Sequence, residues 1–409
     1  MCNIFRKKKI NFVFILVDDL GWKDTGCYGS SFYETPNIDK LAGAGIRFTN
    51  AYAASPVCSP TRASIMTGKY PARLKITDWI GGGDLKGKLL PAACLPFLPR
   101  EETTFAEAFK QAGYSTYLTD RLTDEAVKFI DSHRDGAFFL MLSHYAVHTP
   151  IQAKEDLKTK YQKKAEKIKP GSSEEFARER DSFTKLVQNH SAYAGMVESV
   201  DESVGRILDK LKQLGIEDHT AIIFMSDNGG LSTLKNKKWA PTANVPLRAG
   251  KGWLYEGGIR EPMIVKLPGV LDPGEICRVP VMSTDFYPTM LELANIPPKP
   301  EQHKDGVSLV PLLKQREAFQ QRDLFWHYPH YHGSGSRPCS AIRSGDYKLI
   351  EWFEDDSIEL YDLKQDPGEK NNLAEKMADK ANELKIKLRD WRIETGALMP
   401  RPNPDWSGE

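Results

Sequence analysis

Four short apolar runs constrain this chain most: FVFILV at 12–17, AFFLMLS at 137–143, AIIFMS at 221–226 and MIVKLP at 263–268. A strand with one wet face alternates apolar and polar residues. A run that is apolar throughout must be covered on both faces, and such runs, bounded by polar or glycine signals, read as strands of a buried parallel sheet. Helical patterns lie between them. In AYAGMVESVDESVGRILDKLKQLG, the residues Met196, Val197, Val200, Val204, Ile207, Leu208 and Leu211 share one face, and Gly215 follows as a stop. Strands alternating with helices predict an α/β fold with a mixed, mostly parallel sheet flanked by helices.

With 409 residues the chain can bury a large core and carry a smaller appendage. Near residue 320 the texture changes. SAIRSGDYKLIEWFEDDSIELYDLKQDPGE alternates, with turns at Ser344-Gly345-Asp346 and Asp355-Asp356, and AEKMADKANELKIKLRDWRIET reads as an amphipathic helix. The expected division is therefore 1–320, the α/β part, and 321–409, a small antiparallel sheet plus a terminal helix. The charged stretch Lys154 to Asp181 reads as a solvated surface excursion with helical parts.

The net charge of +1 points to no nucleic-acid groove. Six scattered cysteines without a C-x-x-C pair exclude a zinc ribbon and a dense disulfide framework, leaving room for one or two bridges. No run is long enough to span a membrane. The basic start followed by FVFIL mimics a signal peptide, but the run is short and meets Asp18-Asp19 without a cleavage site, so Asn11 to Val17 reads as a buried strand. As written, the chain reads as cytoplasmic; a start further upstream would make it periplasmic or secreted.

Two of the apolar runs end in oxygen ligands. FVFILV leads into Asp18-Asp19, and AIIFMS into Asp227-Asn228. In an open parallel sheet ligands bind beyond the carboxyl ends of strands. Each pair alone is also a good turn sequence. Together they offer four hard oxygen donors without a thiolate or imidazole, a set that suits calcium or magnesium better than zinc.

The stretch CSPTR, at 58–62, reads as a loop leading into ASIMTG. Pro60 suits the first turn of a helix, and a helix start favours anions and lowers a thiol pKa. Cys-x-Pro-x-Arg followed by Ala-Ser-x-x-Thr-Gly resembles the signature of the formylglycine-dependent sulfatases. The resemblance extends through FVFILVDDLGW, YETPNIDKLAGAGIRFTNAYAASPVCSPTRASIMTGKYP, SHYAVHTP, SDNGG and LRAGKGWLYEGGIREP to the C-terminal sheet. The texture is closest to sulfatases of the arylsulfatase A and N-acetylgalactosamine-6-sulfatase kind, within the alkaline phosphatase superfamily.

The resemblance implies a role for each of these residues. Cys58 would be converted by a formylglycine-generating enzyme into an aldehyde that hydrates to a geminal diol. One diol oxygen attacks sulfur, and the other expels sulfate by losing its proton. Asp18, Asp19, Asp227 and Asn228 would hold a calcium ion, with magnesium as the other hard cation that fits and the modified Cys58 completing the site. Arg62 would support the diol, His148 would stand near the leaving oxygen, and Lys251 would contact a sulfate oxygen. The implied substrate is a sulfated saccharide or an aryl sulfate. FWHYPHYHGSGSRP, with His327, His330, His332 and Arg337 among aromatic rings, reads either as a sugar-contacting stretch or as a connector into the C-terminal sheet.

One departure stands out. After TTFAEAFKQAGYST the family continues through a strand to a Gly-Lys-Trp-His-like segment, whose lysine binds sulfate and whose histidine assists the diol. Here GYST is followed by YLTDRLTDEAVKFIDSH, and no Lys-x-His occurs between Thr103 and Ala137. The missing piece would also hold a sheet strand and a wall of the pocket. Three outcomes remain open at this level: a sulfatase of weakened activity, a phosphonate or phosphodiester hydrolase of the same superfamily, and a catalytically dead binder of sulfated glycans.

Overall fold

The computed structural model describes residues 9–82, 85–119, 123–168, 174–269, 272–314 and 319–407. Its main sheet uses β1 (Asn11–Val17), β2 (Ile46–Tyr52), β3 (Ser115–Thr119), β4 (Phe138–His144), β5 (Thr220–Ser226), β6 (Arg260–Lys266), β7 (Ile276–Cys277) and β8 (Val281–Met282). The order is β7-β2-β6-β5-β1-β4-β3, with β8 also on β2. β1 is central and parallel to both neighbours. Its alternate residues enter opposite cores: Phe12, Phe14 and Leu16 pack on one face, Val13, Ile15 and Val17 on the other. That is why FVFILV carries no polar residue.

The helices cover both faces. Val13, Ile15 and Val17 meet α1 (Pro36–Ala44), α4 (Thr123–Ser132) and α6 (Ser191–Gln213). The opposite face meets α3 (Phe105–Gln111) and α7 (Phe286–Leu293), with Phe14 edge-on to Phe286 at 4.9 Å. Val197, Val200, Val204, Ile207 and Leu211 of α6 are buried as their spacing requires, while Met196 and Leu208, at the edges of the same face, are only partly buried. The last four strands, β9 (Leu324–Tyr328), β10 (Cys339–Ser344), β11 (Tyr347–Trp352) and β12 (Ile358–Asp362), form an antiparallel sheet, followed by α8 (Ala378–Thr395). Gly345, at φ +60°, closes the tight β10–β11 turn expected there.

Several expectations need correction. MIVKLP lies in β6, which is antiparallel to β5 and β2, although burial on both faces gives it the same apolar texture. The Lys154–Asp181 stretch is not merely solvated: α5 (Glu155–Ala165) buries Leu157 and Tyr161, and Phe176–Glu179 pairs with Ser182–Lys185. A strand follows Gly113 directly, as β3; Asp120, Arg121 and Leu122 lie outside the described residues. All five described cysteines are free thiols. Among the described residues, no helix is long and apolar enough to cross a membrane.

A buried charge group ties the second sheet to the first. Lys348 on β11, with no exposed side-chain surface, pairs with Glu256 at 3.0 Å and Glu369 at 2.9 Å. Removing one partner of such a group leaves the others charged and unpaired. Lys348→Met is expected to lower unfolding free energy by about 3–5 kcal/mol. Urea denaturation reads this directly, and an unchanged midpoint would show that the group contributes no net stability.

Candidate active site

β1, β4 and β5 run parallel, so their carboxyl ends form one rim. Val17 pairs with Ser226 on one side and His144 on the other. The residues that follow are Asp18-Asp19, Asp227-Asn228 and the 145–148 turn with His148. The backbone binds these ends together: the Asp227 N–H donates to Val17 O at 3.1 Å, and the Asp18 N–H to His144 O at 3.1 Å. Asp19 has φ 63°, a left-handed turn that ends the strand line sharply.

The helix α2 (Cys58–Thr67) enters this rim with its first turn. Cys58 is its first residue and Pro60 sits in the first turn, where the missing N–H costs no helical bond. Val57, the cap, offers no side-chain bond to the helix start. Arg62 follows Cys58 by four residues and so shares its face. Its Nε donates to Asp227 Oδ2 at 2.8 Å and its Nη2 to Asp18 Oδ2 at 3.0 Å. Lys251 is buried and reaches Asp19 Oδ1 at 2.7 Å and Oδ2 at 2.9 Å. Asn228 Nδ2 donates to Asp19 Oδ1 at 2.7 Å. His148 Nδ1 donates to the Thr149 carbonyl at 2.7 Å, which leaves Nε2 facing Asp19 Oδ2 at 3.8 Å. The structure therefore gathers all eight sequence-predicted site residues at one rim.

The electrostatics are those of a site short of positive charge. Burial and the neighbouring Asp227 and Asp19 push the Asp18 carboxyl up to about 9. Asp227 is also raised, by burial. Burial opposes ionisation of Asp19, but Lys251, His148 and the hydrogen bonds from Lys251 and Asn228 hold it below the ordinary range. Burial opposes the Lys251 charge too, yet Asp19 and Asp18 raise it to about 12. Burial and then Asp227 raise the Cys58 thiol, the opposite direction to the lowering expected from a helix start.

A metal fits this arrangement. Asp18 Oδ1 and Asn228 Oδ1 are buried acceptors with no hydrogen-bond partner. Three carboxylates face only two direct cationic partners, and ligand atoms of Asp18, Asp19 and His148 lie within 4.8 Å of one another. Oxygen donors of this kind suit calcium or magnesium. Asp18, Asp19, Asp227 and Asn228 would hold it.

The histidine-rich stretch behaves differently from its sugar-contacting reading. His327 is buried between Ser340 Oγ and Leu398 O. His330 is buried against Thr77 Oγ1 at 2.8 Å. Arg337 pairs with Asp181 and Glu354. Only His332 lies near the site: its ring fills the space where a Cβ of Gly252, next to Lys251, would stand. Sequence reasoning passed over Asn244. Its buried Nδ2 joins Gly230 O at 2.9 Å to Ala249 O at 3.0 Å, strapping the loop after β5 to the loop carrying Lys251. In the sequence it looks like an ordinary turn asparagine, with no signal beyond that. Gly229 belongs to the same crossing, since an added Cβ would meet Gly257 O at 1.9 Å.

A mostly parallel sheet with carboxylates at its rim, two cations against them and a thiol at a helix start is the layout of a hydrolase of anionic esters. Comparison with known proteins makes the class specific. The Sulfatase family model matches residues 10–119 and 116–296, two stretches that meet at β3, and the N-sulphoglucosamine sulphohydrolase C-terminal model matches 249–394. A sulfatase of Formosa agariphila is 30% identical, covering 95% of this chain and 90% of its own. Their alignment runs over 525 positions, more than this chain has residues, so the relative carries residues that this chain lacks. Human arylsulfatase A is 27% identical over 94% of this chain and 87% of its own. The solved structure of Ps i-CgsB in complex with k-i-k-neocarrahexaose superposes with TM-score 0.76 at 25% identity, covering 98% of this chain and 95% of its own. A 2-O GAG sulfatase shares the fold, with TM-score 0.73 at 19% identity over 97% and 96% of the two chains. The chain belongs to the sulfatase family and is a sulfuric ester hydrolase.

The unpaired oxygens carry a direct expectation. Calcium at about 100 times its Kd should stabilise the chain by about 2.7 kcal/mol, seen as a raised melting temperature that a chelator reverses. Asp227→Asn should reduce this rise sharply. An equal rise in that variant would place the cation elsewhere.

Proposed function

We propose that this chain hydrolyses sulfate esters of carbohydrates at Cys58, after a formylglycine-generating enzyme has oxidised that residue, with calcium held by Asp18, Asp19, Asp227 and Asn228. The observation that carries the reading is the convergence of Cys58, at the first turn of α2, with the acidic rim, Arg62 and Lys251. Neighbours named for N-acetylgalactosamine-6-sulfate hydrolysis, 28% identical in the rat protein, and the neocarrahexaose-bound structure support a saccharide substrate.

When bound, the cation supplies Lewis-acid polarisation of sulfate oxygens and lowers the pKa of a nucleophile at position 58. The other roles belong to the chain's own residues. Lys251, fixed on both oxygens of Asp19, presents its ammonium to a sulfate oxygen. Arg62 bridges Asp18 and Asp227 and so fixes the first turn of α2 against the rim. The free N–H groups of that turn favour the same anion. His148, with Nδ1 committed to Thr149 O, turns Nε2 toward the site, where it can hold or give a proton at the leaving oxygen. Burial of the rim keeps water from the charged groups, which strengthens each of these interactions.

The test is sulfate release from calcium-loaded protein co-expressed with a formylglycine-generating enzyme. Substrates are an aryl sulfate, sulfated saccharides and, for contrast, a phosphodiester. Cys58→Ala should abolish release, and Lys251→Ala should lower kcat by about 10²–10³-fold. Folded, converted protein that releases no sulfate would sink the catalytic reading, and preferred turnover of the phosphodiester would transfer it to phosphorus.

A further inference from the structure

The segment that follows α2 carries a feature the chemistry above does not use. Trp79 is 44% exposed and Ile80 54% exposed, unusual for side chains of this size. Their backbone is tied to the first turn of α2: the Ile80 N–H donates to the Oγ of Ser59, the residue after Cys58, at 3.1 Å. The turn is tight, with Gly82 N–H donating to Trp79 O at 2.9 Å. The two glycines after Trp79 form a bed for its ring. A Cβ at Gly82 would meet the indole nitrogen at 2.5 Å, and one at Gly81 the ring at 3.3 Å. Gly81 also has φ +96°. The indole is thus seated on backbone on one side and open on the other.

The backbone that carries the ring is also held from beneath. Asp78 Oδ1 accepts from the backbone N–H of Trp79 at 2.9 Å and from the Tyr328 hydroxyl at 3.0 Å. Thr77 Oγ1 bonds His330 Nε2 at 2.8 Å, and Ala92 N–H donates to Pro329 O at 3.3 Å. The stretch whose histidines suggested sugar contact therefore turns inward and props the segment that presents an aromatic ring. A buttressed indole is a rigid apolar surface that loses little entropy on binding. It suits the CH face of a sugar ring, with the hydroxyl groups left to water.

We propose that Trp79 is a stacking platform for the sugar ring whose sulfate is seated at Cys58, and that Tyr328 and His330 are its positioning residues. The proposal rests on the sulfatase reading for the location of the sulfate, but not on turnover. Binding to the calcium-loaded Cys58→Ala chain tests it by calorimetry with three probes: neocarrahexaose, N-acetylgalactosamine 6-sulfate and inorganic sulfate. Trp79→Ala should weaken at least one saccharide by roughly tenfold, about 1.4 kcal/mol, and leave inorganic sulfate unchanged. Trp79→Phe should restore most of the loss. In the matured enzyme, Trp79→Ala should raise the saccharide KM with kcat retained. Equal saccharide affinity in Trp79→Ala, no saccharide affinity in the parent chain, or parallel loss of inorganic sulfate would each overturn the platform. If the matured enzyme releases no sulfate while the binding pattern holds, the catalytic reading fails and the platform stands.

Discussion

The structure around the site depends on how three buried carboxylates are kept together. Asp18, Asp19 and Asp227 converge because parallel strands in register must end at the same rim. Removing such groups from water is expensive unless each is paired and hydrogen-bonded. Arg62 spans Asp18 and Asp227, and Lys251 takes both oxygens of Asp19. These contacts fix α2 and the Lys251 loop against the sheet. The same contacts leave Asp18 Oδ1 and Asn228 Oδ1 buried without a hydrogen-bond partner, so the site retains acceptors that a cation can use.

A second layer holds the first without entering it. Asn244 joins four carbonyl and hydroxyl oxygens of the loops after β5 and around Lys251. Glu256, five residues after Lys251, is anchored by Tyr52, Lys348 and Arg260. The C-terminal sheet thereby sets the Lys251 loop from behind. It shares one hydrophobic core with Tyr52, Val57 and Trp253, so α2 and that loop rest on the same surface. Tyr328 and His330 extend the pattern to the Trp79 turn.

What the sequence disclosed follows from the range of the forces involved. β1, β4 and β5 were legible because burial on both faces demands continuous apolar runs, and α6 because its buried stripe repeats with the helical period. Cys58 and Arg62 were legible through their motif and not as a helix face: the stretch reads as a loop leading into a helix, whereas α2 begins at Cys58 itself. The direction of β6 was not, since MIVKLP meets apolar partners whether its neighbours run with it or against it. The histidine stretch misled for a related reason. An imidazole is equally at home on a sugar and against a buried hydroxyl, and the partners that decide, Thr77 and Leu398, are distant in sequence from His330 and His327. Trp79 carried no period or motif at all; its meaning comes from Ser59 and the glycine bed that folding places beside it.

The charge balance at the rim also bears on the chemistry the site prefers. The three carboxylates and their two direct partners sum to one negative charge when all are ionised. A bound divalent cation changes this to one positive charge. A sulfate monoester carries one negative charge and brings the rim to neutrality, whereas the dianion of a phosphate monoester overshoots it in a buried setting where uncompensated charge is costly. Among the described residues in direct contact with the rim, Arg62 and Lys251 carry the positive side alone. That favours a monoanion. It does not separate sulfate esters from phosphodiesters, which bear the same charge.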